Sequence, residues 1–81
     1  MSKVLITGSS GGVGRAISQE LMRNGHEVYG FDRLETPDID LSIVGDILDR
    51  EVVLEAASGK DAVIHLAAEP DEADFIEKLI E

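Results

Sequence analysis

Apolar residues along this chain fall into blocks that alternate between the spacing of a buried strand and that of a helix. Val4-Leu5-Ile6 is a continuous apolar run bounded by glycine, and predicts a buried strand over 3–7. Residues 12–24 place Val13, Ala16, Ile17 and Leu21 on one helical face, with Gly25 after Asn24 as a stop. A second strand is expected over 27–31, and the polar stretch 33–40, which contains Pro37, as a loop. Residues 41–44 predict a short third strand ending at Gly45-Asp46. Asp49 has the character of a helix N-cap, with Val52, Val53, Ala56 and Ala57 turned to the core and Gly59 ending the helix. Residues 61–68 are almost continuously apolar, so a fourth strand buried on both faces is expected, as in a parallel sheet. Beyond Pro70, residues 72–80 predict a last helix with Phe75, Ile76, Leu79 and Ile80 as its stripe. The order is β-α-β-β-α-β-α. Right-handed crossovers turn it into an α/β fold with a parallel sheet of strand order 3-2-1-4, half of a doubly wound architecture.

Eighty-one residues make one domain or part of one. A chain of this size buries only ~60% of its unfolded surface, which makes it marginal alone. Its apolar fourth strand and the striped last helix lack a following strand, so the chain is expected to be the truncated N-terminal part of a single domain. There is no cysteine, which excludes disulfides and thiolate metal sites and suits a reducing cytoplasm. No apolar run approaches the ~20 residues of a membrane span, and no signal-peptide pattern precedes the first strand. The net charge of −10 is uneven: residues 1–31 carry +1 and residues 32–81 carry −11. Such acidity repels nucleic acid and otherwise describes a solvated surface. The near-neutral N-terminal part is where a phosphate-bearing ligand meets least repulsion.

That part holds the most specific signal. The first strand runs into Thr7-Gly8-Ser9-Ser10-Gly11-Gly12-Val13-Gly14 and then directly into a helix. Glycines serve where the backbone turns tightly, lies against a pyrophosphate, or lets helix pack on strand. The helix N-terminus adds N–H groups and partial positive charge. A glycine-rich turn alone also occurs for structural reasons. Here, however, Asp32 ends the second strand about 20 residues on, where a dinucleotide site uses an acid to hold the adenosine ribose hydroxyls. Arg33 follows it, as an arginine for a ribose 2′-phosphate would, but the adjacent carboxylate repels that phosphate. NAD rather than NADP is expected.

These residues resemble the short-chain dehydrogenase/reductase superfamily, and within it the extended NAD-dependent epimerase/dehydratase branch. Gly8, Gly11 and Gly14 fit the extended T-G-x-x-G-x-x-G, while Gly8, Gly12 and Gly14 fit the other subgroup's T-G-x-x-x-G-x-G, so the loop does not choose. The fourth strand does. Asp61-Ala62-Val63-Ile64-His65-Leu66-Ala67-Ala68 is similar to the extended branch's D-x-V-x-H-L-A-A, and Gly45-Asp46-Ile47 to its G-D-[ILV]. The resemblance covers essentially the whole chain and leans toward uronate-dehydrogenase-like and sugar-nucleotide-epimerase-like members. It implies a Rossmann-type NAD(P)-binding domain. Gly8, Ser9, Ser10, Gly11, Gly12, Val13 and Gly14 would wrap the pyrophosphate, and Asp32 would hold the ribose diol. Asp46 and Ile47 would flank the adenine. Leu66, Ala67 and Ala68 would run beside the nicotinamide ribose. Each role has a plainer alternative: Thr7 as a strand end, Asp46 as a turn residue, Ala67 and Ala68 as tight packing, Arg15 and Arg33 as phosphate contacts or surface charges. His65 reads as a packed strand histidine.

The resemblance implies proton transfer by a tyrosine in Y-x-x-x-K. The one tyrosine, Tyr29, precedes Arg33 rather than a lysine at that spacing, so no catalytic residue is assigned and the chain alone is expected to be inactive. No metal site is expected. The partners implied are a nicotinamide dinucleotide and, for a full-length parent acting on a sugar or sugar-derived substrate, a second copy in a homodimer. The competing readings are a stand-alone nucleotide-binding half-domain without chemistry and a structural polypeptide that binds little.

Overall fold

In a computed structural model the described residues are 1–67. The elements run β1 (Lys3–Thr7), α1 (Gly12–Arg23), β2 (Glu27–Asp32), β3 (Leu41–Val44), α2 (Arg50–Ala57) and β4 (Ala62–His65). All strand pairs are parallel and the sheet order is β3-β2-β1-β4. This is the Rossmann-type α/β half-sheet expected from the apolar pattern. The expected helix over 72–80 and Ala68 lie outside the described residues.

Alternation along β1 divides the core into two layers. Val4 and Ile6 join Val28 on one face, with Ile17, Leu21 and Met22 of α1 packed against them. Leu5 and Phe31 join Ala56 on the other, with Val52, Val53 and Ala57 of α2. The two helices therefore cover opposite faces of the sheet. Leu5, Ile6 and Val28 are fully buried and Phe31 nearly so. Each such side chain contributes roughly 1.5–3 kcal/mol.

Two expectations need correction. Val13 and Ala16 do not face the core: Val13 is 65% exposed and Ala16 is also at the surface. The buried positions of α1 are Gly14 and Ser18. The rotation has a steric cause, because a Cβ at Gly14 would lie 2.2 Å from the Gly8 carbonyl oxygen. The helix approaches β1 through its smallest residues, and Ser18 Oγ returns a hydrogen bond to the Gly14 carbonyl at 2.7 Å. The second correction concerns β4. It is a four-residue strand, not eight, and it is not doubly buried; Val63 is 49% exposed. Among the described residues β4 pairs with β1 alone, so one edge has no neighbouring strand to cover it.

Candidate functional site

The site is built at the C-terminal ends of the strands, where open parallel sheets offer a crevice at the point of strand-order reversal. Both neighbours of β1 end there. Gly8 N donates to the Phe31 carbonyl at 2.8 Å, Gly45 N to the Asp32 carbonyl at 3.0 Å, and Leu66 N to the Thr7 carbonyl at 3.0 Å. The chain departures after β1, β2, β3 and β4 are thereby held side by side. A cleft of about 200 Å³ opens among them, lined by Gly8, Asp32, Arg33, Ile47 and Ala67 together with Phe31 and Gly45.

Gly8 has φ +75°, a left-handed conformation suited to glycine. A Cβ there would sit 2.7 Å from the Ala67 nitrogen, so the turn passes directly beside the segment leaving β4. Thr7, buried at the end of β1, ties that segment down: its Oγ1 accepts from Leu66 N at 3.1 Å and Ala67 N at 3.3 Å. The same oxygen shares a 2.6 Å hydrogen bond with His65 Nδ1. Which of the two carries the proton of that bond follows the imidazole tautomer. His65 is thus engaged by Thr7 but stands exposed rather than packed, and Thr7 does more than end β1.

The glycine turn separates into two roles. Gly8 and Gly14 are required by the fold, as the close approaches show. Gly11 and Gly12 are not: a Cβ at Gly11 meets the Gly8 carbonyl oxygen at an ordinary 3.5 Å, and one at Gly12 meets nothing within 4 Å. Their bare backbone faces open space at the mouth of α1. Gly11 is the N-cap of α1, which has no side-chain cap and no acid in its first turn. The contrast with α2 is direct. There Asp49 accepts from Val52 N and Glu51 stands in the first turn. The first-turn amides of Gly12, Val13 and Gly14 thus keep their donors for an outside anion.

Asp32 is half-buried, with one carboxylate oxygen accepting from Ser10 N at 3.0 Å and the other from Leu34 N at 3.3 Å. A carboxylate has about four acceptor sites, so two remain for hydroxyls. Arg33 Nη2 lies 3.5 Å from Asp46 Oδ1 across the cleft mouth, both side chains more than half exposed. Asp46 Oδ1 also accepts from Leu48 N at 2.9 Å, which fixes the turn into α2. Ile47 packs toward the Leu5–Phe31 layer. Gly45 makes room for Phe31, whose ring would be 2.9 Å from an added Cβ.

Of the residues singled out from the sequence, Gly8, Asp32, Arg33, Ile47 and Ala67 meet in one cleft; Gly11, Gly12 and Gly14 lie in the adjoining turn and helix start, and Asp46 at the rim. Val13 is exposed at the helix start, and Leu66 is held beside Thr7. Ser9 is fully buried, its hydroxyl turned inward onto Thr36 Oγ1 at 2.6 Å. Thr36, only 3% exposed, also meets Ser10 Oγ at 2.7 Å. Thr36 escaped notice in the sequence because it sits in a polar loop beside Pro37. A signal was present in Gly30, an oddity inside an apolar strand. A Cβ there would fall 2.5 Å from both Ser9 Oγ and Ile39 Cδ1, so Gly30 makes the seat for Ser9.

Tyr29, by contrast, belongs to the other end of β2. Its hydroxyl donates to Glu27, whose carboxylate holds the phenol above its ordinary value, and Lys60 Nζ lies 4.3 Å over its ring. Among the described residues no cluster of three or more His, Asp or Glu is arranged for a metal, and no helix is long and apolar enough to cross a membrane.

A parallel sheet with an uncapped helix start, a bare glycine turn and a carboxylate on the next strand defines a dinucleotide-binding α/β protein. Residues 4–80 match the NAD dependent epimerase/dehydratase family, and the chain belongs to it. It is 39% identical over 70 residues to a 2-alkyl-3-oxoalkanoate reductase of Stenotrophomonas maltophilia, covering 82% of this chain and 21% of that protein. It is 35% identical over 71 residues to the L-arabinose 1-dehydrogenase (NAD(P)(+)) of Haloferax volcanii, covering 88% and 27%. A short-chain dehydrogenase/reductase superfamily protein from Agrobacterium tumefaciens, crystallised with bound NAD, superposes with a TM-score of 0.75 at 35% identity, over 90% of this chain and 24% of that one. The chain spans about a quarter of the length of these proteins.

Proposed function

We propose that this chain binds the adenosine-diphosphate half of NAD. It forms the N-terminal part of a single NAD-binding domain in an oxidoreductase or epimerase acting on a sugar or sugar-derived substrate. The observation that carries the reading is the pair of glycines, Gly11 and Gly12, that the fold itself does not require, at a helix start left without a cap. The pyrophosphate would lie against residues 8–14, and Asp32 would accept from the ribose hydroxyls. Asp46 and Ile47 would flank the adenine, and Leu66, Ala67 and Ala68 would stand beside the nicotinamide ribose. When bound, NAD supplies hydride chemistry. The Agrobacterium protein with bound NAD and the family membership support the cofactor.

The sugar substrate is supported by the arabinose dehydrogenase relative. The oxoalkanoate reductase is as similar over a stretch of nearly equal length. That pattern fits a segment devoted to the cofactor, with substrate choice made elsewhere in the protein. The proton-transfer group is likewise proposed to lie outside residues 1–81, since Tyr29 points to the end of β2 remote from the cleft. A cytoplasmic setting, supported by the cysteine-free sequence, and a homodimer of the whole protein complete the proposal.

Titration of the isotope-labelled chain with NAD tests the site. Saturable amide shifts over residues 8–15 and at Asp32 are expected. Asp32→Ala should weaken binding about tenfold or more, the usual worth of hydrogen bonds to a charged group. Unchanged affinity in that variant would remove Asp32 from the ribose.

A further inference from the structure

The loop after β2 is fastened to the glycine turn by three hydroxyls in series. Ser10 Oγ donates to the Leu34 carbonyl at 3.0 Å, and Thr36 Oγ1 lies 2.7 Å from Ser10 Oγ and 2.6 Å from Ser9 Oγ. Each hydroxyl owns one proton, so the direction follows from the carbonyl, which only accepts. Ser9 donates to Thr36, Thr36 to Ser10, and Ser10 to Leu34. Thr36 N in turn donates to Ser42 Oγ at 2.9 Å, which anchors the relay to β3.

The relay determines what surrounds Asp32. The Ser10 amide and the Leu34 amide both donate to its carboxylate, and the Ser10 hydroxyl is spent on the Leu34 carbonyl. Every one of these donors beside Asp32 is thereby committed inward. What they leave to a ligand are acceptors, two carboxylate oxygens and a carbonyl, while the one cation lining the cleft among the described residues, Arg33, is drawn toward Asp46 at 3.5 Å. A ribose diol, which brings protons, matches those acceptors. A 2′-phosphate would set its charge against the Asp32 carboxylate and does not.

We infer that Thr36 is a positioning residue for cofactor choice, holding the 33–36 segment against Ser10 so that Asp32 presents acceptors to an unphosphorylated ribose. The inference rests on the NAD reading above. Without the Thr36 hydroxyl the relay is cut in its middle, the segment is released from the glycine turn, and Asp32 loses its fixed orientation. Binding of NAD then weakens while binding of NADP, which gains nothing from Asp32, does not.

Dissociation constants of the chain for NAD and NADP, measured by titration, provide the test. The wild-type chain should favour NAD. Thr36→Val should narrow the NADP-to-NAD ratio of dissociation constants by about tenfold, and Thr36→Ser, which restores the hydroxyl, should return it. A merely destabilising change weakens both ligands together and leaves the ratio alone. Ser10→Ala, at a half-buried position, cuts the same relay without a buried substitution and should narrow the ratio in the same direction, so it decides the matter if Thr36→Val does not fold. An unchanged ratio in the folded variants overturns the inference while leaving NAD binding standing. A wild-type chain that binds neither dinucleotide overturns both.

Discussion

Gly11 and Gly14 stand three residues apart in one motif, yet physics assigns them to different masters. At Gly14 an added methyl meets the Gly8 carbonyl oxygen at 2.2 Å, so helix and turn must part. Gly14→Ala should cost about 1–3 kcal/mol or more, as overpacking does, and a chain of this size has little more to lose. At Gly11 the backbone sits at φ −74° and ψ 166°, open to any residue, and the nearest atom is 3.5 Å from the added carbon. Gly11→Ala should therefore lower the urea midpoint only by the modest cost of an alanine N-cap, less than Gly14→Ala, and weaken NAD, because the methyl stands where the pyrophosphate is proposed to lie. Unfolding curves and NAD titrations of the two variants separate the roles. If Gly11→Ala unfolds the chain and Gly14→Ala does not, the division is wrong.

The two helices differ in how they begin, and the difference matches their duties. α2 satisfies its own start, with Asp49 accepting from Val52 N. Asp49→Ala should destabilise the chain by about 1 kcal/mol and raise amide exchange in the first turn of α2, without affecting NAD. α1 starts on glycine with no cap, and its stability comes instead from Ile17, Leu21 and Met22 on the sheet. At this scale the sequence was largely legible. β1 and β3 run over the expected residues, and Gly25 and Gly59 follow their helices at φ +85° and +73°. What misled was the phase of α1. Counting apolar residues favoured Val13 and Ala16, whereas the approach is governed by Gly14 and Ser18, small residues that let the backbone in. In α1 small size, not apolar character, decides which residues are buried.

For the molecule as a whole the dominant quantity is a net charge of −10. NAD is itself an anion, so the long-range field opposes its approach. Raising ionic strength from about 0.01 M to 0.15 M shortens the screening length from about 30 to 8 Å. It should therefore strengthen NAD binding, by roughly two- to fivefold. Titrations at the two salt concentrations check the sign; weakening instead would mean that the local cations Arg15 and Arg33 outweigh the field. The acidity is also why the near-neutral first 31 residues are a sensible place for a phosphate. The exposed Val63 on β4 is a whole-molecule matter of another kind, since its burial depends on what lies beside that edge.

Periodicity, turn residues and one glycine motif were enough to specify the strand order and the glycine corner proposed to hold a dinucleotide, because those features are written within a few residues of one another. The cleft itself was not so written. It exists because parallel pairing brings Gly8, Asp32, Gly45 and Ala67 to one edge from four separate stretches of chain. The hydroxyl relay through Ser9, Thr36 and Ser10 spans up to 27 residues, and Thr7 reaches Ala67 across 60. Contacts at that separation leave no periodic trace, and their partners are common polar residues. Folding alone chose which of the many serines and threonines meet.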